Sequence, residues 1–351
     1  MSRLRHFLPW VGGWVASFAF ILLVCAVFHN SATPVEWNDA IQMYTRLSGH
    51  SIRWRSEGWG DTRVGKYGLT AGEDVLAESP TPKFILWGDS MVEALQVPDR
   101  EKTTFVFNRI SGGNPMYGIS WGRGGRSVAD YYFAMPHYQH VVANVRANVV
   151  LLSGLDDVTP MKDSGKHARF LCDPLRFDQA TEVGPTWAGR VIGPWIRALH
   201  LEPVYSLYDG LRRHKFRFAP STATQALAQP GTVSTDCDLE QAWRYLVSQM
   251  QQQSRVGLAF VYCPPDSPVI RDGRVVLETG PVPDVERFRA ICEESGAGFI
   301  DMTPQFNAFY EQTGRFPRGF FNSPPGSGHL NADGQRMIAE ALLEYFRGQA
   351  R

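Results

Sequence analysis

The sequence has no charge of one sign to spare: 35 Lys plus Arg balance 35 Asp plus Glu over 351 residues. A basic footprint for nucleic acid is therefore missing, and no partner of that kind is expected. Cysteines are few, five in all, and none falls in a CxxC pair or a Cys/His cluster, so no metal site is indicated. Neither GxGxxG nor GKS/GKT occurs, which excludes the dinucleotide-binding and P-loop fingerprints. Long uncharged apolar runs are missing as well, with one exception.

That exception is Phe7 to Phe28, which carries no charged side chain. At about 1.5 Å per residue it spans a hydrocarbon layer of roughly 30 Å. Arg3 and Arg5 precede it, so residues 1–6 should stay in the cytoplasm and the body of the chain should lie outside. A cleaved signal peptide competes with this reading, but no small-x-small cleavage site is evident, and Val24 before Cys25 makes a poor lipoprotein signal. A signal anchor at 7–28 is the expectation. Outside it remain Cys172, Cys237, Cys263 and Cys292, which allow three full disulfide pairings. Cys172 and Cys237 share the polar middle segment and form the favoured pair. Cys263 ends an apolar strand and Cys292 lies on an apolar helix face, so both read as buried thiols.

The chain is organised around Phe84-Ile85-Leu86-Trp87-Gly88-Asp89-Ser90-Met91-Val92-Glu93. Four uninterrupted apolar residues predict a strand buried on both faces, and Gly88 breaks it. Asp89 and Ser90 initiate a helix with Met91, Val92 and Leu95 at helical spacing, which puts Ser90 at a strand's carboxyl end. Backbone N–H groups there would stabilise an oxyanion formed beside Ser90. At the far end, Pro325-Gly326-Ser327-Gly328-His329-Leu330-Asn331-Ala332-Asp333-Gly334 precedes an amphipathic helix from Gln335 to Phe346. Of the nine histidines, His329 is the best candidate base for a serine hydroxyl, which is a poor nucleophile unaided.

A GDS after an early strand and a GHLN before the last helix together resemble the first and last blocks of the SGNH (GDSL-type) hydrolase superfamily of serine esterases and acyltransferases. The resemblance covers roughly residues 80 to 350. It implies a three-layer α/β/α domain with a mainly parallel, flavodoxin-like sheet, Ser90 as nucleophile and His329 as general base. The second block is a glycine whose N–H holds the oxyanion, and Gly125 in Trp121-Gly122-Arg123-Gly124-Gly125-Arg126-Ser127 matches it, with Gly124 as the alternate register. The third block is Gly-x-Asn-Asp, and here Gly154-Leu155-Asp156-Asp157 puts Asp156 in the asparagine's place. An ionised carboxylate has no proton to give, so Asp156 must be protonated, point away or mark altered chemistry. The family's aspartate three residues before the histidine is Gly326 here, leaving Asp157 or a main-chain oxygen to orient the His329 ring. Asp89 reads as structural, and so does Asp301, at a strand end.

Elsewhere, residues 29–79 read as an irregular lead-in with a short helix around Trp37 to Leu47. Trp54, Trp59 and Tyr67 in it suit core packing better than sugar stacking. Helices are expected at Thr104–Ser111, from the glycine turn to Met135, and at Asp238–Gln253 and Asp284–Ser295. Strands are expected at Asn114–Ser120, Ala147–Ser153, Val256–Tyr262 and Gly298–Met302. Residues 158–236 form an insertion, helical around Trp195 to Arg213 and a loop over Ala219–Thr235. Alternating strands and helices imply a parallel sheet.

The expected function is a membrane-anchored esterase or O-acyltransferase with its domain on the periplasmic or extracellular side of a bacterial inner membrane. It would act on acyl groups, chiefly acetyl, of envelope or exported polysaccharide, with no metal or organic cofactor. The resemblance also implies a multi-spanning membrane acyltransferase as partner. Two alternatives stand beside it: a non-catalytic scaffold that keeps the fold, prompted by Asp156 and Gly326, and a lipid-directed lysophospholipase.

Overall fold

Apolar residues that alternate across strands need cover on both sides, and that requirement sets the architecture. The computed structural model describes residues 2–31, 33–112, 116–162, 168–179, 187–199, 201, 204–205, 208 and 237–349. The chain opens with helix α1 (Ser2–Phe28), then two hairpins, β1 (Val35–Asn38) with β2 (Met43–Arg46) and β3 (Ser51–Trp54) with β4 (Gly60–Arg63), and a short α2 (Glu73–Glu78). Next come β5 (Lys83–Gly88), α3 (Ser90–Glu93), α4 (Thr103–Ile110), β6 (Tyr117–Gly122), α5 (Val128–Val141) and β7 (Val145–Leu152). A small hairpin, β8 (Arg169–Leu171) with β9 (Arg176–Asp178), and α6 (Trp187–Ala198) follow. The last part holds α7 (Leu239–Ser254), β10 (Gly257–Tyr262), the hairpin β11 (Val269–Arg271) and β12 (Arg274–Val276), α8 (Pro283–Glu294), β13 (Gly298–Asp301), α9 (Thr303–Thr313) and α10 (Ala332–Gln349).

Five of these strands make one sheet in the order β13-β10-β7-β5-β6, every pairing parallel. The chain enters at β5, steps to β6 on one side, then reverses to β7 and continues outward. This is the flavodoxin-like order, and the reversal opens a crevice at the carboxyl ends of β5 and β7. Alternation then fills two cores. Ile85, Trp87, Val150, Leu152 and Phe260 point to the side covered by α5, α7 and α8. Phe84, Leu86, Val149, Leu151, Ala259 and Val261 point to the side covered by α4, α9 and α10. One polar group crosses the first core satisfied: Asn148 accepts from Trp87 Nε1 at 2.8 Å and donates to Ser254 Oγ at 2.7 Å.

The lead-in differs from its expectation. Trp37 to Leu47 is the hairpin β1–β2 rather than a helix. Asn38 Oδ1 accepts from Ala40 N at 3.1 Å, an Asx-turn, and Gln42 has φ +50°. Trp37 faces Tyr44 across the strands with ring centroids 5.2 Å apart, a pairing that a helix cannot offer. The segment is thus ordered by two hairpins and α2. The helix after Ser90 is also shorter than expected. It ends after one turn at Ala94, which has φ +47°, because Gly122 packs so closely that a Cβ there would lie 1.9 Å from Glu93 N. Of the helix expected around Trp195 to Arg213, Trp195–Ala198 closes α6 and Val204, Tyr205 and Tyr208 are helical, while most of the remainder, Asn114 and Ala219–Thr235 lie outside the described residues. Cys172 and Cys237 are disulfide-bonded, and Cys263 and Cys292 are buried free thiols. α1 contains one stretch, Pro9–Phe28, long and apolar enough to cross a membrane.

Behind β6 sits a fully buried carboxyl. Glu73 accepts from Thr104 Oγ1 and, at 2.8 Å, from Ser120 Oγ. Burial pushes it up to about 7 against those hydrogen bonds. An unfolded chain loses this proton near its ordinary 4.5 while the native state keeps it, so stability falls as pH rises from about 4.5 to 7. Glu73→Gln removes the titration. Its stability change across that window should be smaller than the parent's by about 3 kcal/mol, read by urea unfolding at both ends; parallel pH profiles would refute the assignment.

Candidate active site

Four chain segments that meet at the carboxyl edge of the sheet build the site. Ser90 opens the single turn that follows β5. As its first residue, Ser90 has a backbone N–H outside the intrahelical ladder. Asp89 shapes the turn: its carboxylate accepts from Met91 N at 2.8 Å and from Ser153 Oγ at 3.3 Å. It is the structural group expected of it. With α3 only four residues long, the field at Ser90 comes from individual N–H groups rather than a helix macrodipole.

His329 reaches Ser90 from the opposite end of the chain. Its Nε2 lies 2.9 Å from Ser90 Oγ. The loop that carries it is framed on both sides. Gly319 N donates to His329 O at 3.0 Å, and Arg318 bridges to Leu330. Asn331 Oδ1 caps α10 by accepting from Asp333 N at 3.0 Å and Gly334 N at 3.2 Å, while its Nδ2 donates to Phe316 O at 2.7 Å. Buried Arg318 ties this loop to the strand edge through Gly328 O and Cys263 O, both at 3.2 Å.

Behind the ring stands Glu57, from the lead-in between β3 and β4. Its Oε2 pairs with His329 Nδ1, and its Oε1 accepts from His329 N at 3.0 Å and from Ser323 Oγ at 3.4 Å. Burial alone would raise the Glu57 carboxyl. The His329 hydrogen bond and charge outweigh it and hold the group below its ordinary value. An ionised carboxylate only accepts, so Nδ1 carries the ring proton and Nε2 presents a lone pair to the Ser90 hydroxyl. Glu57, His329 and Ser90 therefore form a hydroxyl–imidazole–carboxylate relay.

This arrangement corrects the expectation for the acid. Asp157 does not stand behind the ring. Its carboxylate accepts from Ser153 N at 2.6 Å, and burial, then the neighbouring Asp89, raise it to about 7. No main-chain oxygen is needed either. Gly326 cannot be the acid's place because its φ is +72° and a Cβ would meet the Phe316 ring at 2.7 Å. Glu57 was missed because it lies 272 residues from His329 in a Trp/Gly-rich stretch with no periodicity. The available signal was the pair Gly58 and Gly60, where a Cβ would meet Gln96 O at 2.4 Å and Leu95 O at 2.0 Å.

The glycine turn after β6 faces the serine. Gly124 N is committed to Glu93 Oε2 at 2.8 Å, which leaves the Gly125 register for an oxyanion. Gly125 has φ +77°, and its amide has no partner among the described residues. Glu93 is itself held by Arg46 of β2 at 2.6 Å, so the lead-in braces this turn as well. Asp156 lies exposed on the turn after β7, and no hydrogen bond joins its side chain to Ser90. The arrangement can activate a hydroxyl for attack on an ester carbonyl, with the N–H of Ser90 outside the helix ladder beside it.

No protein-family profile and no curated protein matches the chain. Among solved structures it is similar to a lipolytic G-D-S-L family protein from Veillonella parvula, at 13% identity and TM-score 0.39 over 76% of this chain and 98% of that one. It is similar to an acetyl xylan esterase, at 14% identity and TM-score 0.38 over 75% and 98%. A third is an acetylxylan esterase from Geobacillus stearothermophilus, at 13% identity and TM-score 0.35 over 75% and 92%.

Glu57→Gln keeps the shape but removes the charge that fixes the ring's tautomer. It is expected to lower kcat for an activated ester by about 10²- to 10⁴-fold with KM little changed, measured by steady-state kinetics. An unchanged kcat would show that the carboxylate is a structural contact only.

Proposed function

We propose that the protein is a membrane-anchored SGNH-type serine esterase or O-acyltransferase acting on acyl, chiefly acetyl, esters of envelope or exported polysaccharide. The observation that carries this is the 2.9 Å contact between Ser90 Oγ and His329 Nε2 with Glu57 on the other ring nitrogen. Ser90 attacks the ester carbonyl as Nε2 takes its proton. The N–H groups of Ser90 and Gly125 hold the oxyanion, and the imidazolium returns the proton to the departing alcohol. Water relieves the acyl-enzyme in an esterase; a sugar hydroxyl relieves it in a transferase. Every proton is handled by a side chain, so the cycle as written calls on no cofactor.

Substrate class and location follow from topology. The Pro9–Phe28 stretch supports an anchor in a bacterial inner membrane, and the Cys172–Cys237 disulfide suits an oxidising compartment outside the cytoplasm. An enzyme held there meets glycans and lipids. A multi-spanning acyltransferase that delivers acyl groups across the membrane is the partner such a site would need for transfer. The scaffold reading rested on Gly326 and Asp156, and Glu57 now stands in the acid's place.

The full chain in detergent micelles is expected to hydrolyse p-nitrophenyl acetate and to be labelled at Ser90 by a fluorophosphonate. Ser90→Ala should lose the label and at least about 10³-fold of the turnover. Failure of the parent protein to label at Ser90 would sink the enzyme reading. Acetyl appearing on an added oligosaccharide, read by mass, would separate transfer from hydrolysis.

A further inference from the structure

The exit of α1 and the segment carrying Glu57 are joined without slack. The apolar stretch of α1 is 20 residues, Pro9–Phe28, so about 30 Å of helix ends at Phe28. Immediately beyond it the chain is tied down. Asn30 Oδ1 accepts from Arg55 N at 2.6 Å and Ser56 N at 3.2 Å, and Ser31 N donates to Arg53 O at 2.9 Å. Arg55 Nε donates back to Val27 O at 3.1 Å, inside the helix itself. Phe28 meets the Trp59 ring edge-on with centroids 5.6 Å apart. Whatever depth Phe28 has in a membrane, Trp59 shares to within one ring contact.

Trp59 lines a cleft of about 500 Å³ whose wall also includes Val97, Pro98, Phe316 and Phe321. Trp59 is 41% exposed, and its inner face is held by the Arg55 guanidinium 4.1 Å from the ring centre, itself buried and paired with Asp61 at 2.9 Å. Phe321 is 81% exposed, the most exposed phenylalanine ring among the described residues. It is not on a loose loop. Asn322 accepts from Gly58 N at 2.7 Å and donates to Arg55 O at 3.2 Å, and Phe320 N donates to Ser323 Oγ at 2.9 Å. The turn therefore presents an apolar ring outward, braced against the segment that is tied to α1. Scattered exposed apolar residues need no explanation, but two aromatic rings flanking a cleft that also carries the charged groups of Glu101, Arg315 and Asp333, beside the apolar helix α1, do.

We propose that the Trp59–Phe321 face lies in the headgroup layer of the bilayer that α1 crosses, and that its cleft is occupied by membrane phospholipid. The proposal rests on the anchor reading of α1. Its consequence for the catalytic centre is one of place: Glu57 is two residues from Trp59, about 7 Å of chain, so the relay works against the membrane surface and takes esters presented there.

The test uses the full chain in phosphatidylethanolamine/phosphatidylglycerol nanodiscs, with p-benzoylphenylalanine in place of Leu23, Phe321 or Glu294, one at a time. Leu23 is 62% exposed on α1, and Glu294 ends α8 at the amino-terminal edge of the sheet with its side chain 57% exposed. After irradiation, intact mass should show phospholipid adducts at Leu23 and Phe321, and at least about tenfold less at Glu294. Adducts at Leu23 without Phe321, or equal adducts at Phe321 and Glu294, overturn the proposal and leave the anchor standing. No adduct at Leu23 overturns both.

Discussion

The structure turns on one buried carboxylate–imidazole hydrogen bond. Glu57 is 8% exposed, and taking a carboxylate out of water costs several kcal/mol unless hydrogen bonds return it. Here the return comes mostly from a single residue. The His329 ring and the His329 backbone N–H both point at Glu57, and Ser323 adds a third donor. The same contact that keeps the carboxylate ionised puts the ring proton on Nδ1, and so decides that Nε2 faces Ser90 as an acceptor. Stability and chemistry are two consequences of one arrangement.

The parts legible in the sequence are those governed by local rules. A four-residue apolar run ending in Gly-Asp-Ser specifies a strand, a break and a turn within ten residues, and a buried parallel strand has few other readings. The loop before α10 was legible for a similar reason, since Asn331 both caps the helix and holds the loop backbone. The disulfide followed from the placement of Cys172 and Cys237 in one polar segment. What stayed hidden depends on distant packing. The β1–β2 hairpin owes its shape to a cross-strand Trp37–Tyr44 pair and an Asx-turn whose residues also fit a short helix. The single turn of α3 stops where Gly122 of the neighbouring strand presses against Glu93, which no window around Ser90 contains.

Gly326 shows how a missing residue can mislead. Read beside a family pattern, a glycine where an aspartate is usual suggests a broken relay. In the structure the position is a left-handed turn wedged against Phe316 and Pro268 O, and no side chain fits. The loop has been shaped for tightness, and the carboxylate arrives from another direction. Asp157 was the nearer candidate in sequence logic, yet its charge is disfavoured by burial and by Asp89, a poor setting for a group meant to stabilise an imidazolium.

The lead-in, then, is part of the candidate site. It supplies Glu57 behind the histidine and Arg46 behind Glu93, and through Glu93 it holds the Gly124 amide of the turn that faces Ser90. A boundary drawn at residues 79 and 80, where the sheet begins, divides the fold at a natural place and the active site at an unnatural one. The parallel sheet brings the Ser90 turn and the glycine turn after β6 to one edge, as its topology dictates. The charge that makes the histidine a base comes from a hairpin outside it, fastened on its other side to the end of α1. Glu57 thus sits between two sets of contacts, those to His329 on one side and those that join Arg55 and Trp59 to the end of α1 on the other.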